Sequence, residues 1–258
     1  MYKAQADGYH PIQSVFQQIS LCDTLRIDTH SDPGFELSLS DPSIPIDTNN
    51  TVSRAYETIK EQLSTGVRIH IDKQIPSGAG LGGASSNAAT FLNWAKEQVS
   101  LPEQRWLEIG TSIGADVPFF MKAKTAWVEG IGEQITAIPT PVHSHYLLLF
   151  PGIHSNTAKA YAALDDWGDL ADTRSQKPLP NPAEYLGPNS FESVLLDLYP
   201  KLGEIQKKAQ ALGTPTPQIT GSGSTLFLAS DSESECKKWA NILEGQVNCE
   251  CRLASAIV

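Results

Sequence analysis

The sequence lacks the marks of a membrane or secreted protein. No apolar run approaches the ~18 residues that a membrane-spanning helix needs, and the first residues lack the apolar core of a signal peptide. Cysteine is scarce, and no C-x-x-C pair occurs among Cys22, Cys236, Cys249 and Cys251. This spacing argues against a structural zinc site. We therefore predict a cytoplasmic protein whose thiols are reduced.

Basic residues are also few. The chain has 19 Lys and Arg against 29 Asp and Glu, which gives a formal net charge of -10 and a pI near 5.0. A nucleic-acid-binding protein is expected to present a basic face, so nucleic acid is not a predicted partner. An anionic ligand would have to be held by backbone N–H groups and a few local cations.

What the sequence does contain is an ordinary globular composition, with 258 residues of which 40% are hydrophobic. This length suits one or two domains. Extended apolar patterns predict strands at residues 12–21, 23–30, 35–40, 67–73, 125–138, 145–152, 217–229 and 249–258. Helical spacing predicts helices at residues 51–63, 85–99, 102–113, 190–212 and 233–244, with an interruption at Pro200 in the fourth. Because strands and helices do not alternate regularly, an α+β fold is predicted rather than a doubly wound sheet.

Two stretches are predicted to lie outside these elements. Residues 140–145, with the sequence TPVHSH preceded by a further proline, indicate a domain boundary near residue 142. Residues 171–189 are rich in proline, asparagine and charge, which predicts a surface excursion.

The most informative segment is the glycine-rich loop IPSGAGLGGASSNAA at residues 75–89. Its core from Gly78 to Gly83 fits G-x-G-x-x-G, but a dinucleotide site needs an acidic strand end ~20 residues later, where this sequence has a helical pattern. A Walker A loop is excluded because no Gly-Lys-Ser/Thr follows. A turn without a ligand is disfavoured because its four glycines carry a large entropic penalty.

A phosphate cradle accounts for these residues. Glycines let backbone N–H groups approach an anion, and the helix that begins near Ser85 directs its positive end toward the same anion. Ser85 and Ser86 add hydroxyl donors or a Mg²⁺ ligand, and Asn87 adds an amide. Pro76 stiffens the entry to the loop.

Other segments carry candidate chemical groups. Asp116 lies in an apolar run, where a carboxylate either caps a helix or turn or accepts a proton during catalysis. Tyr9 and His10 follow a turn, and they fit either a packed position or contact with a nucleobase. Tyr161 fits either a helix core or a stacking position for a ligand.

Several motifs, in the same order along the chain, resemble those of the GHMP kinases, which phosphorylate galactose, homoserine, mevalonate and related alcohols. The motifs are D-G-Y-H from Asp7, P-S-G-A-G-L-G-G-A-S-S-N from Pro76, G-A-D-V-P-F-F from Gly114, E-G-I-G-E from Glu129 and I-T-G-S-G-S from Ile219. The first and third are similar to one branch of the family. That branch phosphorylates the 2-hydroxyl of a cytidine diphosphate-linked methylerythritol in isoprenoid biosynthesis.

The resemblance implies a fold, a reaction and partners. The fold is α+β with two domains, a ribosomal S5-like N-terminal domain at residues 1–142 and a ferredoxin-like C-terminal domain at residues 143–258. The cofactors are ATP and Mg²⁺, and the partner is a small-molecule substrate rather than a nucleic acid or a membrane. Neither the Mg²⁺ ligands nor the oligomeric state is assigned.

The resemblance also implies roles for matching residues. Asp116 is the catalytic base. The ATP site comprises the loop residues Pro76, Gly78, Ala79, Gly80, Leu81, Gly82, Gly83, Ala84, Ser85, Ser86 and Asn87. It also includes Asn50 and Lys73 near adenine. By themselves, Asn50 fits a helix N-cap and Lys73 fits a solvated strand end. The substrate site comprises residues near the cytosine and the third glycine motif near the diphosphate: Tyr9, His10, Thr157, Tyr161, Gly221, Ser222 and Gly223.

The sequence departs from the family near Met1. Family members begin with a strand K-x-N-L-x-L whose lysine lies beside the catalytic aspartate, and Lys3 does not align with it. Gln5 stands where the branch has arginine. Two hypotheses follow: either the natural chain begins further upstream, or this is a nucleotide-binding short form with impaired transfer. A homoserine or mevalonate type of GHMP kinase is the alternative activity.

Overall fold

The computed structural model describes residues 10–138, 143–167 and 189–258. The strands are β1 (Ile12–Gln17), β2 (Thr24–His30), β3 (Phe35–Leu39), β4 (Gly66–Asp72), β5 (Thr125–Gly130), β6 (Gln134–Ala137), β7 (His145–Phe150), β8 (Gln218–Ile219), β9 (Leu226–Ser230) and β10 (Glu250–Ser255). The α-helices are α1 (Thr51–Ile59), α2 (Gly83–Lys96), α3 (Glu103–Ile113), α4 (Val117–Lys122), α5 (Thr157–Trp167), α6 (Glu192–Leu198), α7 (Pro200–Ala211) and α8 (Glu233–Leu243). The strands form three sheets, with the orders β1-β5-β6, β2-β4-β3 and β10-β7-β9-β8.

Helices α1 to α4 share one hydrophobic core with the sheet β2-β4-β3. Val67, Ile69 and Ile71 alternate along β4 and are buried, as a strand with one covered face requires. Val52 and Ile59 are buried on one side of α1. Each such side chain contributes about 1.5–3 kcal/mol when it is fully buried. This core therefore fixes β4, the strand that leads into the glycine loop.

A second core lies on the sheet β10-β7-β9-β8. In the central strand β7, the residues after His145 are apolar and buried, as expected for a strand with both faces covered. Leu147 and Leu149 pack in the cluster that includes residues of α5 to α8. Leu148 and Phe150 pack on the opposite face with Ala79 of the glycine loop. The loop is thus held against the second sheet.

The segment after β1 and the end of β10 also connect the two halves of the described chain. Ile19 and Ala256 form an isolated antiparallel bridge. Beside it, the Ser20 N–H donates to the Ser255 carbonyl at 2.8 Å. The glycine loop and this bridge are therefore two separate links between the cores.

The predicted α+β class is confirmed. Of the pairings between described strands, β3 with β4 is parallel and the others are antiparallel. The doubly wound alternative would have required a mainly parallel sheet. No helix in the described ranges is long and apolar enough to cross a membrane.

The predicted interruption at Pro200 is observed: α6 and α7 meet there, because a proline ring cannot continue the preceding helix. Other boundaries differ from the prediction. The segments 125–138 and 217–229 each contain two antiparallel strands, β5 with β6 and β8 with β9, rather than one. Helix α4 was not predicted. Residues 139–142 beside the predicted domain boundary, and 171–188 of the predicted excursion, lie outside the described residues.

Candidate active site

The glycine loop leaves β4 and ends in the first turn of α2. Gly78, Gly80 and Gly82 have φ angles of 67°, 71° and 66°, which residues with a side chain rarely adopt. Gly82 is the N-cap of α2, and among the described residues no side chain caps this helix and no acid occupies its first turn. The N–H groups of that turn can therefore bind an anion at the positive end of the helix.

The third glycine motif packs directly on this loop. The Thr225 N–H donates to the Ala79 carbonyl at 3.1 Å. A Cβ placed on Gly80 would lie 2.5 Å from the carbonyl oxygen of Gly223, and one placed on Gly221 would lie 3.2 Å from the carbonyl oxygen of Gly80. The backbone of the glycine loop packs directly on the backbone of the third motif, which leaves no room for a side chain at position 80. This packing brings residues 221–223 to the cradle.

The start of α5 belongs to the same unit. The Ser155 N–H donates to the Gly78 carbonyl at 3.1 Å, and its hydroxyl donates to the Ser222 carbonyl at 2.6 Å. The hydroxyl groups of Thr157 and Ser222 are hydrogen-bonded at 2.9 Å. The loop, the third motif and the start of α5 are therefore connected by hydrogen bonds.

The other loop residues stabilise the cradle through their own contacts. The Ser86 hydroxyl donates to the Gly83 carbonyl at 2.9 Å. The Thr51 hydroxyl, at the start of α1, donates to the Ala84 carbonyl at 2.7 Å. Leu81 packs against the apolar cluster that contains Ala79.

Asp116 lies immediately before α4, beside the start of α2. Two residues earlier, a Cβ placed on Gly114 would lie 3.7 Å from the Ser85 hydroxyl oxygen, and a Cβ placed on Gly82 would lie 2.8 Å from the Phe120 ring of α4. The Asp116 side chain makes no capping bond. Within the described residues, no hydrogen bond or ion pair involves its carboxylate. The capping alternative is therefore not observed.

The electrostatics of Asp116 suit a proton acceptor. Burial raises the pKa of its carboxyl group. Burial, followed by the charge of Asp116, also raises the pKa of Tyr161. A carboxyl group with a raised pKa beside the glycine loop is a candidate for acid–base chemistry.

His10 and Tyr161 form an aromatic pair. Their rings are stacked with centroids 5.1 Å apart, and Tyr161 meets Phe191 edge-on at 4.9 Å. His10 is 6% exposed, and its Nε2 lies 3.1 Å from an Asp165 carboxylate oxygen. The predicted partner Tyr9 lies outside the described residues.

Asn50 and Lys73, which the resemblance places near adenine, are engaged with the protein itself. The Asn50 side-chain oxygen accepts from the Val52 N–H at 2.9 Å, which is the N-cap role. Its amide nitrogen donates to the Pro45 carbonyl at 2.9 Å. Lys73 forms an ion pair with Asp23, whose side chain is wholly buried.

Sequence reasoning missed Asp23. Its carboxylate also accepts from the Asn87 amide at 2.8 Å, so the predicted loop residue Asn87 faces Asp23. The partners Lys73 and Asn87 are 50 and 64 positions away in sequence. The available signal was a single acid at the first position of the predicted strand 23–30, which by itself predicts only a strand start.

A cavity of about 680 Å³ adjoins the loop but does not contain the chemical groups described above. Pro76, Ser77 and Ala79 line one wall of this cavity, while neither His10 nor Asp116 lines it. We therefore place the candidate active site where Asp116 adjoins the start of α2, and not in this cavity.

The residues present fit a magnesium ion carried by a nucleotide better than a resident metal. No group of three His, Cys, Asp or Glu side chains that could hold a metal occurs in the described ranges. Magnesium bound mainly by phosphates needs only one or two oxygen atoms from the protein. Asp116 and Ser85 supply oxygen atoms of the required kind beside the loop.

Comparisons with known proteins agree with this geometry. Residues 50–124 match the GHMP kinases N terminal domain. A 4-diphosphocytidyl-2-C-methyl-D-erythritol kinase of Geobacter sulfurreducens is 34% identical over 250 residues, which cover 95% of this chain and 90% of that protein. A crystal structure of 4-(cytidine 5'-diphospho)-2C-methyl-D-erythritol kinase superposes with a TM-score of 0.76 at 27% identity, covering 98% of this chain and 94% of that one. Mevalonate kinase of Methanococcus jannaschii shares the fold, with a TM-score of 0.66 at 13% identity and coverage of 98% and 100%.

Proposed function

The chain belongs to the GHMP kinase family, in the branch of the 4-diphosphocytidyl-2-C-methyl-D-erythritol kinases, and from this membership we propose how its residues act. It is an ATP-dependent small-molecule kinase of isoprenoid biosynthesis. We assign the 2-hydroxyl of 4-diphosphocytidyl-2-C-methyl-D-erythritol as the phosphorylated group. The observation that carries the site assignment is the position of Asp116, an unpaired carboxylate among the described residues beside the phosphate loop.

The phosphate loop holds ATP in this proposal. Backbone N–H groups between Gly78 and Ser86 contact the phosphates, and the positive end of α2 favours their negative charge. The close packing of Gly80 on Gly223 keeps the loop in one conformation. Positioning of this kind is a large part of catalysis in phosphoryl transfer.

Asp116 acts on the alcohol. Its carboxylate accepts the proton of the attacking hydroxyl, whose oxygen forms a bond to the γ-phosphorus. The bond between that phosphorus and the β,γ-bridging oxygen breaks, and ADP leaves. His10 and Tyr161 bind the cytosine of the substrate, and Thr157 and the third glycine motif contact its diphosphate.

Magnesium neutralises charge on the transferred phosphoryl group when it is bound with ATP. We assign Asp116 and Ser85 as the residues able to contact it. We also propose domains at residues 1–142 and 143–258, and a cytoplasmic location.

A substrate panel tests the proposal. Purified protein with Mg²⁺ and ATP should phosphorylate the cytidylyl alcohol, with the product identified by ³¹P NMR, and should show no comparable turnover with mevalonate or homoserine. Turnover of mevalonate or homoserine instead would replace the assigned substrate. ATP binding without turnover of any of the three would favour the hypothesis of impaired transfer.

A further inference from the structure

Asp23 is a buried carboxylate that connects three segments around the phosphate loop. It lies immediately before β2, and its side chain has no exposed surface. It accepts from the backbone N–H groups of Gln74 at 2.7 Å and Ile75 at 2.9 Å, which begin the loop. It also accepts from the Asn87 amide of α2 at 2.8 Å, and it pairs with Lys73 at the end of β4.

These contacts keep Asp23 ionised. Burial by itself pushes the pKa of Asp23 up, but hydrogen bonds from Ile75, Lys73, Gln74 and Asn87 together hold it below its ordinary value. The carboxylate is therefore a fixed negative charge next to a loop that binds phosphates. Only one of its four described donors, Lys73, carries a compensating positive charge.

The start of the loop is held from the other side as well. Arg252 of β10 donates from Nη1 to the Gln74 carbonyl at 2.7 Å. Its guanidinium lies over the Phe150 ring at 5.2 Å. Gln74 thus gives its N–H to Asp23 and its carbonyl to Arg252, two residues before Pro76.

We propose that Asp23 is the positioning residue of the phosphate loop, and that Lys73 acts by neutralising Asp23 rather than by contacting ATP. This inference rests on the proposed role of the loop as the ATP site. Lys73 is 11% exposed, and its ammonium group contacts the buried carboxylate. Without Lys73, an uncompensated buried anion would face the nucleotide and repel its phosphates.

A double-mutant cycle tests both parts of the proposal. The dissociation constant of ATP is measured by calorimetry, without the alcohol, for wild type, Asp23→Asn, Lys73→Met and the double variant. We expect Asp23→Asn and Lys73→Met each to weaken ATP binding about 10- to 100-fold, and the double variant to bind no more weakly than Asp23→Asn. Asp72→Asn is the matched control: Asp72 pairs with the exposed Arg26 and should leave ATP affinity unchanged.

Two results would contradict the proposal. If Asp23→Asn folds and binds ATP with wild-type affinity, Asp23 has only a structural role. If Lys73→Met weakens ATP binding equally in the wild-type protein and in Asp23→Asn, Lys73 contacts ATP directly. Failure of the wild type to phosphorylate the cytidylyl alcohol would affect the proposed function alone, because the cycle measures ATP binding.

A measurement on the wild type covers the case in which Asp23→Asn does not fold. The Gln74 and Ile75 amide protons should exchange slowly with solvent, because both are donated to a buried carboxylate. Exchange of either amide at the rate of an open loop would overturn the positioning role.

Discussion

The two ends of the candidate active site are built on opposite principles. The phosphate end consists of backbone: glycines with positive φ, a helix start, and carbonyl groups of one motif packed on another. The alcohol end consists of side chains from three distant segments: His10 stacks on Tyr161, and the charge of Asp116 contributes to the raised pKa of Tyr161. The first end should tolerate no added atom, whereas the second should depend on the chemical identity of each side chain.

The largest effect is expected from changing chemistry at the alcohol end without changing its shape. Asp116→Asn removes the proton acceptor and should lower kcat about 10²- to 10⁴-fold, a far larger change than any in the KM for ATP. Steady-state assays with both substrates measure this. A kcat within about threefold of wild type would remove Asp116 from the mechanism.

An added methyl group is the corresponding change at the phosphate end. Gly80→Ala would place its Cβ 2.5 Å from the Gly223 carbonyl oxygen at a φ of +71°. The KM for ATP should rise about 10-fold or more, and the melting temperature should fall.

Gly152→Ala is the matched control for that change. Gly152 has a φ of +70° and nothing within 4 Å of its Cβ position, so it reproduces the backbone strain without the clash. If both variants raise the KM for ATP equally, the contact between the two glycine motifs is not what shapes the cradle.

His10→Ala should affect the alcohol end and leave the phosphate end unchanged. We expect the KM for the cytidylyl alcohol to rise about 10- to 100-fold and the KM for ATP to stay constant, because a ring and a buried polar contact are lost only at the alcohol end. His70→Ala, which removes a half-buried histidine of β4, should change neither constant. An unchanged KM for the alcohol would favour another GHMP activity.

The smallest effect concerns stability. Burial raises the folded-state pKa of Asp116 above its ordinary value of 3.8. The stability linked to this group is therefore present below that value and is lost as the pH rises through the folded pKa. Asp116→Asn should melt a few degrees above wild type at pH 7, and this difference should close near pH 4.

Glu36→Gln is the control for the thermal comparison. The hydrogen bond from Arg68 lowers the pKa of Glu36, so its linkage has the opposite sign, and this variant should not gain stability at pH 7. A melting temperature of Asp116→Asn at or below wild type at pH 7 would mean that burial does not strain the carboxylate.

Local patterns predicted much of the fold. The alternation along β4 and the spacing of α1 reflect one covered face each, and the Asn50 cap follows from its side chain. Helix α4 was missed because six residues that begin with Val117-Pro118 show too little periodicity. The break at Pro200 was foreseen as an interruption, since proline acts locally.

The candidate site was predictable only where its chemistry is local. The glycine loop could be recognised in the sequence because backbone positions with positive φ angles favour glycine. The burial of Lys73 was not predictable, since it depends on Asp23, which lies 50 positions earlier. The contact between Gly80 and the third motif likewise depends on residues about 140 positions later.

That last contact has a consequence for synthesis of the protein. The Ala79 carbonyl receives its hydrogen bond from the Thr225 N–H, and Gly80 packs on residues 220–223. A ribosome makes the loop long before it makes these partners. The nascent chain therefore carries an unfinished cradle until nearly nine-tenths of the chain has been translated, and the N-terminal half cannot complete its nucleotide site by itself.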